Sequence, residues 1–133
     1  MSAIRPSRGP VLTVAFSQWS PASPDALCVR VSGELDLATV PMLIEEVAKV
    51  LTWGRHLVLD LSGVEFAGAL TVAALIELTA LAGERAGWLH VISGPATDLL
   101  QCRLQPSDLP PLYSGPSSVR ARIAQLKETA SSR

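Results

Sequence analysis

HLVLDLSGVEFAGALTVAALIELTALAG, residues 56–83, reads as strand, tight turn and helix in direct succession. Leu57, Val58, Leu59 and Leu61 leave little polar relief between His56 and Leu61, the pattern of a strand covered on both faces. Ser62, Gly63 and Gly68 supply turn chemistry. From about Gly68 the residues are helix formers, with Gly83 placed to end the helix. A strand–turn–helix of this kind aims the free amides of the helix start, and the positive end of its dipole, at the surface where the sheet ends. Function is expected there.

The bulk composition narrows the rest. A chain of 133 residues has room for one domain with its own core. A hydrophobic content of 48% with only 5% aromatic residues predicts an aliphatic α/β core. The net charge of −1 gives no electrostatic case for nucleic acid or an anionic membrane. Cys28 and Cys102 lie far apart in apolar surroundings and read as two buried free thiols. MSAIRPSRGP has two arginines but no apolar run behind them, so it does not read as a signal peptide, and a cytoplasmic protein is expected. Phe66 to Gly83 carries one charge, Glu77, but at about 1.5 Å per residue it would only just span a bilayer core. Its Ala and Thr content and the strand before it favour a helix lying on a sheet.

Around this unit the elements fall in the order ββαβαβα(β)α. Residues 1–10 form a polar tail expected to be disordered. Val11 to Phe16 and Ala26 to Val31 are predicted strands of a hairpin, joined by a loop from Ser17 to Asp25 in which Trp19 covers the core edge. SGELDLATVP, residues 32–41, is a loop into a helix with Thr39 as N-cap, Pro41 in the first turn, Glu45 and Glu46 near the positive end, and a stripe of Leu43, Val47, Val50 and Leu51. Further on come a strand from Gly87 to Ile92, a short helix from about Ala96 to Leu104, a short edge strand at Leu112–Tyr113 and a last helix carrying Val119, Ile123 and Leu126. The domain is expected over 11–128, with a second disordered tail at 129–133.

Enzyme signatures are missing. There is no Gly-rich phosphate loop and no Gly-x-Ser-x-Gly elbow. His56 and His90 stand on different predicted strands, neither with a metal-ligating residue at the required spacing, and read as structural. Asp36, Asp60 and Glu65 could converge at the strand ends, yet loop capping and solvation account for them. No cofactor or metal is expected.

GELDLATVP (33–41) followed by LVLDLSGVEF (57–66) and a small-residue helix start resembles the STAS domain of bacterial anti-sigma-factor antagonists. The resemblance extends over roughly 11–128 and takes in the Gly94-Pro95 turn and the tail LPPLYSGPSSVRARIAQL. It implies an α/β fold with a four- or five-stranded mixed sheet and about four helices mainly on one face. It also implies a non-enzymatic protein that binds an anti-sigma factor, often a GHKL-type kinase, and so frees a sigma factor in transcription regulation. In the family a serine at the start of the central helix is phosphorylated, and the added charge blocks the interface.

This sequence departs from that pattern. The family's aspartate, serine, serine and glycine fall on Gly68, Ala69, Leu70 and Thr71, which puts Ala69 at the phospho-acceptor position. The standard switch is therefore expected to be absent. On a helical wheel Leu75, Leu78, Ala82, Val72 and Thr71 face the sheet, while Ala69, Ala73, Glu77, Ala80 and Glu84 face outward with Leu70 at the boundary. An inward Thr71 ordinarily bonds the carbonyl four residues back, against which it would be a substitute phosphosite.

The resulting expectation is a partner-binding surface of Asp36, Gly68, Ala69, Leu70 and Ala73. Asp36 comes from the resemblance, and Asp60 is read as structural. Two other readings stand beside it. One is a STAS subunit of a larger assembly, such as an ABC-type lipid transporter, binding its ATPase. The other is a small-molecule or nucleotide sensor using the helix-start amides. Neither nucleic-acid binding nor direct membrane insertion is expected.

Overall fold

The computed structural model describes residues 12–20, 23–97 and 112–131. Five strands form one mixed sheet in the order β1-β2-β3-β4-β5: β1 (Leu12–Ser20), β2 (Ser23–Leu35), β3 (His56–Ala67), β4 (Trp88–Ile92) and β5 (Leu112–Tyr113). The β1/β2 pair is antiparallel and the other three pairings are parallel. Three helices accompany it: α1 (Val40–Val50), α2 (Leu70–Glu84) and α3 (Pro116–Ser131). Residues 95–97 are also helical. The expected helix over 96–104 otherwise lies outside the described residues, as do Cys102 and the tail at 1–10.

The period-two alternation of the strands divides the core. On one face Val29, Val31, Leu57, Leu59, Leu61, Leu89 and Val91 pack against the stripes of α1 (Leu43, Val47) and α2 (Ala74, Leu75, Leu78, Ala82). On the other, Ala26, Val58 and Ile92 pack under Val119 and Ile123 of α3. Two of the helices thus lie on one face and α3 on the other. β3 is buried on both faces only from His56 to Leu61, because its register with β4 ends at Asp60–Ile92.

Beyond that point the turn expected at Ser62 and Gly63 is instead a continuation of β3 paired with β2 alone, running to Ala67. The Asp60 side chain accepts bonds from the Ser62 amide (3.0 Å) and hydroxyl (2.6 Å), so the Asx-type chemistry read as a turn is present but closes inside a strand. β3 takes one residue more than β2 at each of two register shifts, between Arg30 and Ser32 and between Gly33 and Glu34. Gly33 has φ 105°, a left-handed conformation that suits glycine at such an irregularity. The result is a two-stranded ribbon of β2 and β3 that carries Asp36 and the start of α2 past the end of β4; residues 32–35, expected as the start of a loop, belong to β2.

Other boundaries also move. The expected loop over 17–25 is mostly strand: β1 and β2 pair out to Ser20–Ser23, prolines being tolerated at strand ends. Thr39 is the N-cap residue of α1 but makes no capping bond with its side chain; its hydroxyl donates to Glu34 O (2.6 Å) and accepts from the Asp36 amide (2.9 Å). Glu45 and Glu46 fall past the first turn, which holds no acid. α2 ends at Glu84 rather than at Gly83; Ala86 takes the left-handed conformation (φ 52°) and the Gly87 amide donates to Ala82 O (2.8 Å). α3 runs to Ser131, so 129–131 are helical where a disordered tail was expected. No helix among the described residues is long and apolar enough to cross a membrane, because Phe66 and Ala67 belong to β3 and shorten the apolar helical run.

Candidate functional site

Two segments meet at the outer end of the β2/β3 ribbon. The last β2/β3 partners are Glu34–Phe66 and Leu35–Ala67, and the Gly68 amide then donates to Leu35 O (2.8 Å). This bond joins the last residue of β2 to the residue before Ala69, the N-cap of α2. A Cβ at Gly68 would lie 3.4 Å from Leu35 O and 3.5 Å from Phe66 Cε2, so the Phe66 ring leans over the junction.

Asp36 is held by one oxygen. Its Oδ1 accepts from the amides of Ala38 (3.0 Å) and Thr39 (3.0 Å) and from the Thr39 hydroxyl (3.2 Å). Among the described residues none of these bonds reaches Oδ2. The carboxylate therefore organises the turn into α1 and still presents an acceptor.

At the start of α2 the Thr71 amide donates to Gly68 O (3.0 Å) and the Val72 amide to Ala69 O (3.2 Å). The amides of Ala69 and Leu70 have no backbone acceptor among the described residues, and no side chain caps the helix. Ala69, Leu70 and Ala73 are exposed, and Thr71 is buried at 1% exposure with Ala74, Leu75, Leu78 and Ala82 on the sheet side. The hydroxyl of Thr71 does not bond the carbonyl four residues back, contrary to expectation: its Oγ1 is buried with no hydrogen-bond partner among the described residues.

Besides Leu70, which the sequence singled out, four further large hydrophobics around this junction are exposed that it did not single out: Leu37 (79%), Phe66 (52%), Met42 and Ile76. The signal for Ile76 was available, since it falls within about 20° of Ala69 on the helical wheel. For Leu37 and Phe66 it was not: exposure there follows from β3 outrunning β4.

Asp60 does not join Asp36. Asp60 sits seven positions before the end of β3, roughly 20 Å from the junction. It is buried against Ser62 and 3.7 Å from Arg30 Nε. Among the described residues no three of the His, Cys, Asp and Glu side chains group as a metal site. Cys28 is buried and free; burial, then the Asp60 charge, push its thiol pKa up, with Arg30 and a Ser17 hydrogen bond opposing. The two histidines do meet, His56 Nδ1 lying 3.1 Å from His90 Nε2 in the interior.

The family model described as "Mlab, STAS domain" matches residues 20–103. This chain belongs to the STAS family. Among solved structures, the STAS domain is similar to an anti-sigma factor antagonist from Mycobacterium paratuberculosis, with 27% identity, a TM-score of 0.68, and coverage of 85% of this chain and 94% of that one. No curated protein sequence matches. The family is generally non-enzymatic, and the five-stranded mixed sheet with its helices is consistent with the STAS fold of that neighbour. The GELD segment and the β3–α2 junction both lie inside the matched segment.

Proposed function

We propose that this STAS domain is a non-catalytic binding protein of the anti-sigma-factor antagonist kind, acting in the cytoplasm on an anti-sigma factor. The observation that supports the reading is the junction where the Gly68 amide bonds Leu35 O, tying the residue before Asp36 to the segment that leads into an exposed, small and apolar helix start. Gly68, Ala69, Leu70 and Ala73 let a partner surface approach closely, Asp36 supplies an acceptor, and Leu37, Phe66 and Met42 rim the contact with apolar area. Apolar anchors inside a polar surround give a protein contact its affinity.

A phosphorylation switch at this surface has no acceptor. Ala69 and Leu70 lack hydroxyls, and the Thr71 side chain is buried beneath the helix. An anti-sigma factor of the GHKL kinase type would therefore be bound without being able to turn the antagonist off by phosphate transfer. The reading is supported by the structural neighbour's description as an anti-sigma factor antagonist.

The test is affinity capture from host lysate, with tagged wild type and Ala69→Asp run side by side and partners identified by mass spectrometry. Recovery of an anti-sigma factor by wild type alone is the expected result. Recovery of an ABC-transporter ATPase instead would replace this reading with that of a transporter subunit. Equal recovery of any partner by both baits would remove the α2 start from the interface.

A further inference from the structure

β1 is the outer strand on one side of the sheet, and among the described residues it pairs on one edge only, with β2. Its nine residues, LTVAFSQWS, contain no charge and no proline. Soluble proteins ordinarily protect such an edge with lysine, proline or a very short strand, because its unpaired N–H and C=O groups template another strand. Here the only irregularity is the register shift between Gln18 and Ser20, at the strand's end.

The side chains point to what covers it. Leu12, Val14 and Phe16 lie on one face by alternation, opposite Gly33, Val31 and Val29. Leu12 and Val14 pack against the larger core cluster, whereas Phe16 on the same face is 41% exposed. Phe16 is also the middle residue of the strand. A two-fold axis perpendicular to the sheet, passing midway between two β1 strands at the level of Phe16, makes an antiparallel pairing in which Phe16 meets Phe16 of the second copy. Val14 then meets Gln18, Leu12 meets Ser20, and Ala15 meets Ser17. No like charges oppose one another, and the one large apolar side chain of β1 left uncovered on that face lies beside the axis, where the two copies meet like to like.

We infer that β1 is a homodimerisation edge, joining two copies of this chain antiparallel about Phe16 into one continuous ten-stranded sheet. The edge uses no residue of the α2 start or the 33–36 segment, so dimer formation and partner docking are separable.

Sedimentation velocity on the full chain over a concentration series tests this, beside Phe16→Lys. The wild type is expected to pass reversibly from monomer to a species of twice 14.1 kDa. Phe16→Lys is expected to weaken that association by at least about tenfold through like-charge opposition on the axis, with an unchanged melting curve since the side chain is exposed. In a Cys102→Ser background, Phe16→Cys is expected to give a disulfide-linked dimer on oxidation, while Ala80→Cys on the outward face of α2 does not. A chain that stays monomeric overturns the inference, including one whose residues 1–11 occupy the edge. So does a dimer that Phe16→Lys leaves intact, or a Phe16→Cys variant that crosslinks no better than the Ala80→Cys control.

Discussion

His56 Nδ1 and His90 Nε2 lie 3.1 Å apart between neighbouring parallel strands, their rings stacked 14° from parallel. His56 also stacks on Trp88, and His90 meets Tyr113 at 46°. A hydrogen bond between two imidazoles needs one nitrogen protonated and the other bare, so the pair cannot take up protons freely. Burial first, then the His56 and Arg122 charges, push the His90 pKa down to about 4.

The pH dependence of stability follows. An unfolded His90 accepts its proton near the ordinary 6.5, whereas the folded one refuses it until about 4. The contribution is therefore fully present above about pH 6.5 and is lost as pH falls toward 4. Urea unfolding is expected to show a loss of up to about 2 kcal/mol between pH 7.5 and 5 from this group. His90→Phe is expected to flatten that slope. An unchanged slope in the variant would show that the pair does not control acid stability.

Arg85 ties the ends of the two helices on one face together. Its Nη1 donates to Ala48 O (2.8 Å) and Leu51 O (2.6 Å), satisfying carbonyls at the C-terminus of α1 with a positive charge. Arg85→Met keeps the apolar stem but removes both bonds. A loss of roughly 1.5–3 kcal/mol in chemical denaturation is expected, in the range of charge-assisted hydrogen bonds. A loss below about 0.5 kcal/mol would mean that water caps α1 equally well.

Thr71 offers the opposite sign. Its Oγ1 is buried without a partner among the described residues, and an unsatisfied hydroxyl costs roughly 1–3 kcal/mol. Thr71→Val keeps the shape and removes the polar atom. Its melting temperature is expected to rise, by an amount corresponding to about 1 kcal/mol. Intact-mass analysis of the wild type after incubation with a partner kinase and ATP is expected to show no gain of about 80 Da, the mass of one phosphate. A gain mapped to Thr71 would contradict the burial of its side chain.

Two glycines separate a steric requirement from mere preference. A Cβ at Gly94 would lie 2.7 Å from Ser62 Cα and 3.0 Å from Ser62 O, both backbone atoms. Gly94→Ala is expected to cost at least about 2 kcal/mol by forcing β3 away. At Gly68 the nearest contacts are ordinary ones, at 3.4 Å and beyond. Gly68→Ala is expected to be neutral or to stabilise by about 0.5 kcal/mol through the unfolded chain. Paired melting curves check both.

The parts legible in the sequence were those set by local periodicity. His56 to Leu61 is buried throughout as its apolar run required, and the helical wheel of α2 placed Thr71, Leu75, Leu78 and Ala82 toward the sheet. What local pattern could not show was where neighbours stop. Ser62 and Gly63 look like a turn in sequence, but they continue β3 because β2 is long enough to pair with them to Leu35. For the same reason Phe66 emerges as an exposed ring and not as the last core residue. The meeting of His56 with His90 depends on parallel register between strands separated by a whole helix, which spacing along the chain does not encode. Asp36 entered through the family resemblance; that its Oδ1 holds the turn into α1 required coordinates.

The most direct test of the docking surface is the affinity of a captured anti-sigma factor for wild type and for Ala69→Asp, measured by surface plasmon resonance. An aspartate at the N-cap position of α2 sits near the positive end of its dipole, so the fold is expected to hold or gain up to about 0.5 kcal/mol. The same charge placed in a desolvated contact is expected to weaken binding by at least about a hundredfold, equivalent to 2.7 kcal/mol or more. Loss of binding with an unchanged or raised melting temperature is the predicted result. Equal affinities for the two proteins would contradict the account and place the partner surface elsewhere on the domain.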